Sequence, residues 1–278
     1  MIKIVADTTS GLPFELARQH DIAMIPQIVI FGEDSYRDDS EIDTETFLQK
    51  LKASSTLPKT AAPPPALYYP IFQAAQDKGE VVLVIAPSSN VSGTVRSAQS
   101  AAADFPDLPV HIVDTRTITG NAATLALLAA QWVAEGADVD SILARLAALI
   151  DSQRTYFLVD TLEYLKKGGR IGGAKALLGE LLQVKPILQI KDGSVQPCEQ
   201  ERTKKRALAR LMDIVAEQGS GSPDLHLSVM HIGAPVEADT LAQALSAWLD
   251  ISHPPVYTLP AAIGVHAGPG VLAVGFFV

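Results

Sequence analysis

Short apolar runs and helical patterns alternate through the first half of the sequence, and this alternation constrains the fold more than any other feature. The runs are largely apolar at successive positions, as are strands of a sheet covered on both faces: IKIVA (2–6), IAMIPQIVI (22–30), VVLVIA (81–86) and VHIVD (110–114). Helical patterns separate or follow them at 13–20, 44–53, 66–78, 93–103, 121–135 and 139–151. Strand and helix in turn predict a doubly wound, mainly parallel α/β sheet with right-handed crossovers.

A proline-rich segment, 54–65, interrupts this alternation with STLPKTAAPPP. Proline removes backbone donors and disfavours helix in the residue before it. We therefore expect an ordered loop or a lid here.

The second half has a different pattern. YFLVD (156–160) leads into a glycine cluster and a helix, and Asp192-Gly193 is a strong hairpin signal. Antiparallel strands are then expected at 225–232, 256–259 and 271–278, with helices at 202–218 and 235–249. These elements predict an α+β domain with a mixed or antiparallel sheet. With 278 residues and about 150 per domain, we expect two domains, 1–155 and 156–278.

Composition excludes several classes of protein. The net charge of −9 argues against broad nucleic-acid binding, which depends on Lys and Arg. The single cysteine, Cys198, excludes a disulfide framework and a thiolate-rich metal site, so we expect a cytoplasmic protein without a metal. We expect Cys198 itself to lie in a strand without a role. No signal peptide is expected, and no apolar run of about 18 residues predicts a membrane span.

Three of the predicted strands end in hydroxyl and carboxylate clusters, 7–10, 88–94 and 114–117. Ligands of open α/β sheets bind at the carboxyl ends of the strands. The stretch PSSNVSGT joins a strand to a helix, so the backbone at Ser92, Gly93 and Thr94 is suited to binding an anion. The alternative is that Ser92 only caps the helix.

Two later motifs add donors for an anion. YLKKGGRIGG (164–173) flanks Arg170 with glycines that allow close backbone approach, and GVHAGPG (264–270) flanks His266 in the same way. The alternatives are a solvated surface arginine and a core histidine in a tight turn. Together with the serine-rich helix start, these residues are a suitable donor set for one oxyanion. GxGxxG after the first strand and GxxxxGK followed by Ser or Thr are both missing, so neither NAD nor ATP is expected as a cofactor.

Seven motifs in order resemble one family: ADTTSGL, KTAAPPP, SSNVSGTVRSA, VDTR, YLKKGGRIGG, RTKKRA and IGVHAGPGVLAVGF. Over nearly its whole length the chain resembles the DegV family of bacterial fatty-acid-binding proteins. The resemblance implies a long-chain fatty acid between the two domains, with its tail inside the protein. It also implies that Thr60 and Ser92 hold the carboxylate, with Arg170 and His266 nearby. The chain departs from the family pattern at Ala61-Ala62, where a hydroxyl is usual, and at 119–122, where a glycine pair is usual.

The same resemblance implies a division of labour. Family members are non-catalytic binding subunits that present the carboxylate to a separate dihydroxyacetone-kinase-like enzyme, which uses ATP to form an acyl phosphate. A basic cluster, Arg202, Lys204, Lys205 and Arg206, stands out in the acidic chain. We interpret it either as a docking site for this kinase or as a solvated helix start.

Elementary energetics support a lipid-binding role. Hydroxyls, an arginine and an imidazolium at His266 would replace the water around a buried carboxylate. A long acyl tail contributes about 0.8 kcal/mol per buried methylene, before ordering costs. The segments 124–133 and 174–184 are rich in Ala and Leu and are candidates for the tunnel wall, although helix core is their default interpretation.

Two rival functions remain open. One is a serine esterase with Ser92 as nucleophile, His266 as base, and Asp7 or Asp114 orienting the base, although a GxSxG elbow is missing. The other is a phosphate-ligand protein or a subunit of a small-molecule kinase.

Overall fold

Three sheets organise the part of the chain that the structure, a computed structural model, describes: residues 1–178, 184–222 and 224–278. The strands of the first part are β1 (Ile2–Asp7), β2 (Ile22–Ile25), β3 (Ile28–Phe31), β4 (Asp34–Arg37), β5 (Lys59–Ala61), β6 (Val81–Ala86) and β7 (Val110–Asp114). Its α-helices are α1 (Phe14–Gln19), α2 (Thr44–Ala53), α3 (Tyr69–Asp77), α4 (Thr94–Ala103), α5 (Gly120–Ala134) and α6 (Val139–Ser152). Short 3₁₀ helices cover Thr8–Ser10 and Pro65–Leu67.

The first sheet is parallel and covered on both faces. Its order is β2-β1-β6-β7, and every neighbouring pair is parallel. Side chains alternate along β1: Ile4 and Ala6 pack with α5 and α6, whereas Val5 packs with α3 and α4. Because successive strand residues point to opposite faces, a run that is apolar at every position is what two covered faces require. The predicted doubly wound layer is confirmed.

The sequence predicted a single strand at 22–30, but this run forms two strands. Pro26 separates β2 from β3, and a proline donates nothing to a strand ladder. The strand β3 leaves the parallel sheet and pairs antiparallel with β4 and β5. The segment 54–65 is not wholly a loop, because it contains β5, which lies in this small sheet with Thr60 opposite Val29.

The second part contains a six-stranded sheet, and its elements follow in chain order. They are β8 (Gln153–Leu158), α7 (Glu163–Lys167), a 3₁₀ helix (Gly172–Leu177), β9 (Lys185–Lys191), β10 (Ser194–Glu201), α8 (Lys204–Gly219), β11 (Ser228–His231), α9 (Pro235–Leu249), β12 (Val256–Thr258), α10 (Ala261–Ala267) and β13 (Leu272–Phe277). The hairpin β9–β10 turns at Asp192-Gly193 as predicted. Residues 179–183 of the predicted segment 174–184 lie outside the described residues.

The six-stranded sheet is mixed, with the order β10-β9-β8-β13-β11-β12. All pairs are antiparallel except β11 with β12, so the expectation of antiparallel pairing was wrong for β12. Tyr156 and Leu158 point to the face that α8 and α9 cover, and Phe157 points to the opposite face. This opposite face lines a cavity.

The helix α10 was not expected, since no helix was predicted between residues 250 and 271. It packs on β3 and α2 through small residues, and a Cβ on Gly264 would overlap the ring of Phe47. The helix ends at Gly268, whose φ is 79°. Its last turn carries His266.

The division into domains 1–155 and 156–278 stays a prediction, and β8 of the six-stranded sheet begins at Gln153. None of the described helices is long and apolar enough to cross a bilayer.

Candidate ligand-binding site

A cavity lies between the carboxyl ends of the parallel strands and the open face of the six-stranded sheet. Its lining is mainly apolar with a few polar side chains, as is typical of small-molecule sites. The cavity is lined by five of the six residues proposed from the sequence: Thr60, Ser92, Gly93, Arg170 and His266. The sixth, Thr94, is buried behind Ser92.

His266 and Thr60 form a hydrogen-bonded pair. His266 Nε2 lies 2.8 Å from Thr60 Oγ1, whereas His266 Nδ1 is buried without a partner. Burial, and secondarily the charge of Arg170, lower the pKa of His266 to about 4. The ring is therefore neutral at pH 7, and the expectation of an imidazolium was wrong.

The turn before α4 carries Ser92. The helix begins at Thr94 with Gly93 at the N-cap position, so Ser92 lies one residue before that position. Ser92 Oγ accepts the Thr94 N–H at 3.3 Å and lies 2.9 Å from Thr94 Oγ1. The hydroxyl supports the helix start and also lines the cavity, so a capping role alone does not describe it.

Arg170 is fixed by backbone carbonyls rather than by acids. Its Nε donates to the Val91 carbonyl at 3.1 Å, and its Nη1 donates to the Gly168 carbonyl at 2.8 Å. These bonds use two of the five guanidinium donors and place the side chain beside the Ser92 turn. The alternative of a freely solvated arginine was wrong.

An apolar floor completes the cavity. Phe157 of β8, Ile190 of β9, Val195 of β10 and Ala273 of β13 line it from one face of the six-stranded sheet. Their registers place Ile190 opposite Val195 and Phe157 opposite Ala273. The segment 124–133 instead packs in the core beneath the first sheet, so its expected role as a tunnel wall was wrong.

Four polar residues that line the cavity were not among the predicted site residues: Thr9, Gln27, Thr119 and Thr155. Thr9 lies in the hydroxyl cluster after β1, which was a usable signal, whereas Gln27 carried none. Thr119 adopts φ 63° and ψ −144°, and its buried hydroxyl has no partner. Such a backbone conformation is strained for a β-branched residue.

The geometry does not form an esterase triad. In the described part of the chain, His266 contacts no carboxylate, because Nε2 meets Thr60 and Nδ1 meets no polar atom. Asp7 bonds Thr94, and Asp114 accepts the backbone N–H groups of Ser89 and Arg116. A serine nucleophile would thus lack an oriented base.

The basic cluster lies where β10 passes into α8. Lys204 pairs with Glu237 at 2.6 Å, and Arg206 pairs with Glu201 at 2.9 Å. Arg202 and Lys205 are exposed and form no ion pair within the described residues. The uncompensated positive charge of this cluster is therefore carried by Arg202 and Lys205.

Comparison with known proteins identifies the family. The family model described as "Uncharacterised protein, DegV family" matches residues 1–278. The chain belongs to the DegV family. A DegV domain-containing protein from Streptomyces coelicolor is 35% identical over 275 residues, covering 98% of this chain and 97% of that protein.

Solved DegV structures share the fold. A DegV family protein from Thermus thermophilus, whose structure is described as showing fatty acid binding, matches with a TM-score of 0.94. It is 32% identical, and the match covers 99% of both chains. A stearic acid-binding protein from Eubacterium ventriosum matches with a TM-score of 0.91 at 27% identity, over 100% of this chain and 98% of that one. The DegV fold and its association with fatty acid binding in relatives are thus established.

Proposed function

We propose that this chain binds a long-chain fatty acid, with its carboxylate at Thr60, Ser92, Gly93, Thr94, Arg170 and His266. The observation that carries the proposal is a single cavity that combines five of these residues, all except the buried Thr94, with the apolar floor of the six-stranded sheet. The fatty acids bound by DegV relatives support it.

The donor set suits one carboxylate. We assign the Nε2–H tautomer to the neutral His266, because Nδ1 has no partner. His266 then donates to Thr60 Oγ1, and the proton of the Thr60 hydroxyl remains for the ligand. Ser92 and the unused N–H groups of Arg170 supply charge-assisted hydrogen bonds.

The tail supplies the driving force for binding. At about 0.8 kcal/mol per methylene, a chain of sixteen carbons gains on the order of 10 kcal/mol, before ordering costs. The apolar floor offers the tail no polar groups and selects it by shape alone. Specific recognition is therefore concentrated at the carboxylate.

The binding test is denaturing mass spectrometry on purified protein, and a co-purified fatty acid is the expected result. Ser92→Ala should weaken binding of a fluorescent fatty acid by roughly 10- to 100-fold, the loss of one charge-assisted bond. Exposed Ser40→Ala is the matched control. Protein that carries no lipid and binds none would refute the proposal, and tight binding of ATP or inorganic phosphate instead would favour the phosphate-ligand alternative.

We further propose that the chain is a non-catalytic subunit that presents the carboxylate to a dihydroxyacetone-kinase-like partner in the cytoplasm. Val195 of β10 lines the cavity, and Arg202 follows seven residues later, just beyond the end of this strand. The basic cluster therefore lies up to about 23 Å from Val195. A kinase domain spans such a distance. The cations would steer its encounter with this chain.

Charge reversal tests the docking role. Arg202→Glu with Lys205→Glu should reduce acyl-phosphate formation with the kinase at least tenfold and leave fatty-acid affinity unchanged. Lys52→Glu with Lys78→Glu, two exposed lysines in α2 and just after α3, is the control for net charge. Equal turnover for both double variants would contradict docking at this cluster.

A further inference from the structure

A buried carboxyl group lies behind the proposed headgroup site. Asp7, the last residue of β1, is 2% exposed and accepts hydrogen bonds on both oxygens. Oδ1 accepts the backbone N–H of Thr9 at 2.8 Å and also the Thr9 hydroxyl. Oδ2 accepts Gln27 Nε2 at 2.7 Å and Thr94 Oγ1 at 2.8 Å. These four contacts hold the carboxyl group in one orientation.

Thr94 connects this carboxyl group to Ser92. Its Oγ1 lies 2.8 Å from Asp7 Oδ2 and 2.9 Å from Ser92 Oγ. A hydroxyl has one proton, so Thr94 donates either to Asp7 or to Ser92 but never to both. The direction of this short chain of hydrogen bonds therefore depends on whether Asp7 is charged.

The two charge states leave Ser92 in different roles. An ionised Asp7 can only accept hydrogen bonds. The Thr94 hydroxyl therefore donates to Asp7, and the Ser92 hydroxyl donates to Thr94. An Asp7 carboxyl group protonated on Oδ2 donates to Thr94 instead, and the Thr94 hydroxyl then donates to Ser92. The proton of Ser92 is then free to point into the cavity, at an end of the chain where each bond strengthens the next.

The charge of Asp7 has no cationic partner. Within the described residues, no Lys, Arg or His forms a hydrogen bond or ion pair with Asp7, and the titratable groups that interact with it are Asp38 and Tyr68. Arg170 and His266 line the same cavity as Ser92. Burial raises the pKa of Asp7 above its usual value, and a second anion next to Ser92 would raise it further.

We propose that Asp7 is a positioning residue that takes up a proton when the fatty-acid anion binds and, through Thr94, turns the Ser92 hydroxyl into a donor to that anion. The proposal rests on the proposed function of this site. The proton comes from solvent and ends on the Asp7 carboxyl, and no other covalent bond changes. Because the coupling is reciprocal, a bound anion that favours the protonated Asp7 is itself bound more tightly when Asp7 is protonated.

Calorimetric titration of delipidated protein with myristate, below its micelle concentration, measures this coupling. Titrations in phosphate and in Tris, which differ in ionisation enthalpy, give the number of protons taken up per ligand. We expect wild-type uptake of up to about one proton, and a Kd that rises by up to about tenfold per pH unit over the pH range in which this uptake occurs. Asp7→Asn should abolish both the uptake and the pH slope.

Three further variants separate Asp7 from its neighbours. Asp38→Asn, the matched control for a nearby buried carboxyl group, should keep the proton uptake. Thr94→Val should weaken binding at pH 6 about tenfold, the loss of one hydrogen bond with a charged group, and Thr94→Ser should restore it. If uptake persists in Asp7→Asn but disappears in His266→Gln, the proton resides on the histidine and the proposal is wrong.

Infrared difference spectroscopy provides a test that needs no variant. Binding of myristate labelled with ¹³C at its carboxyl carbon should produce the C=O stretch of a protonated carboxyl group of the protein, separate from the bands of the ligand. Binding without that band and without proton uptake overturns this inference and leaves the proposed function intact. A wild-type protein that binds no fatty acid at any pH overturns both.

Discussion

A methyl group added at Gly168 should disable the headgroup site while leaving the fold in place. Gly168 ends α7 with φ −76° and ψ −7°, a conformation that alanine adopts without strain. Its Cβ would overlap the His266 ring at Nδ1 and lie 2.9 Å from the Tyr164 carbonyl oxygen. The imidazole lies closest and must move furthest, and the backbone at Tyr164 must also shift slightly.

The displacement sets the size of the effect. The ring must move by about 1 Å to regain van der Waals separation. A movement of this size changes the 2.8 Å distance between His266 Nε2 and Thr60 Oγ1 by up to about 1 Å, enough to break the hydrogen bond. Losing this bond lowers the stability of the protein by about 1 kcal/mol, with or without ligand, whereas misplacing the Thr60 donor to a carboxylate weakens binding by about 1.5–3 kcal/mol. The second loss corresponds to a Kd roughly 10- to 160-fold weaker.

Competition with a fluorescent fatty acid measures the Kd of Gly168→Ala, and circular dichroism checks that the variant is folded. Gly136→Ala is the control, because Gly136 has φ 86° and open space around it. That variant is strained and loses stability, but it should bind like the wild type. If Gly168→Ala binds within threefold of the wild type, the contact between His266 and Thr60 does not order the headgroup site.

Three other variants test stability and the tail. The pKa of His266 is about 4, against 6.5 in the unfolded chain, so acidification from pH 6.5 to 4 protonates the unfolded state first. The free energy of unfolding should therefore fall by up to about 3 kcal/mol over this pH range. Urea denaturation should show a smaller fall for His266→Gln. The pKa of Asp38 is raised to about 7, so its stabilising effect is full below about pH 3.8 and lost as the pH rises through 7. The free energy of unfolding of Asp38→Asn should therefore exceed that of the wild type by up to about 4 kcal/mol at pH 8 and by almost nothing at pH 3.5. Ala273→Leu adds about three carbons to the cavity floor and should shift the co-purified fatty acids to chains that are shorter by a similar number of carbons. The exposed control Ala53→Leu should leave the lipid profile unchanged. An unchanged profile for Ala273→Leu would show that Ala273 does not contact the tail.

The sheets and most helices could be predicted because their signals are local. Apolar runs and helical periods each occupy a few neighbouring residues, so β1, β6, β7 and the helix α2 are readable from the chain itself. The strand β5 and the helix α10 escaped prediction for the opposite reason. A three-residue strand acquires its partner only when β3 leaves the parallel sheet, and α10 depends on close packing of Gly264 against Phe47.

The sequence by itself determined which donors the site has, a serine before a helix, an arginine among glycines and a histidine near the end of the chain. Only the tertiary structure decided which of them meet. Thr60 and His266 are 206 residues apart, Asp7 and Thr94 are 87 apart, and Arg170 reaches the carbonyl of Val91 across 79 residues. Periodicity extends over one element, whereas these contacts depend on how separate sheets pack, and burial between those sheets keeps His266 neutral.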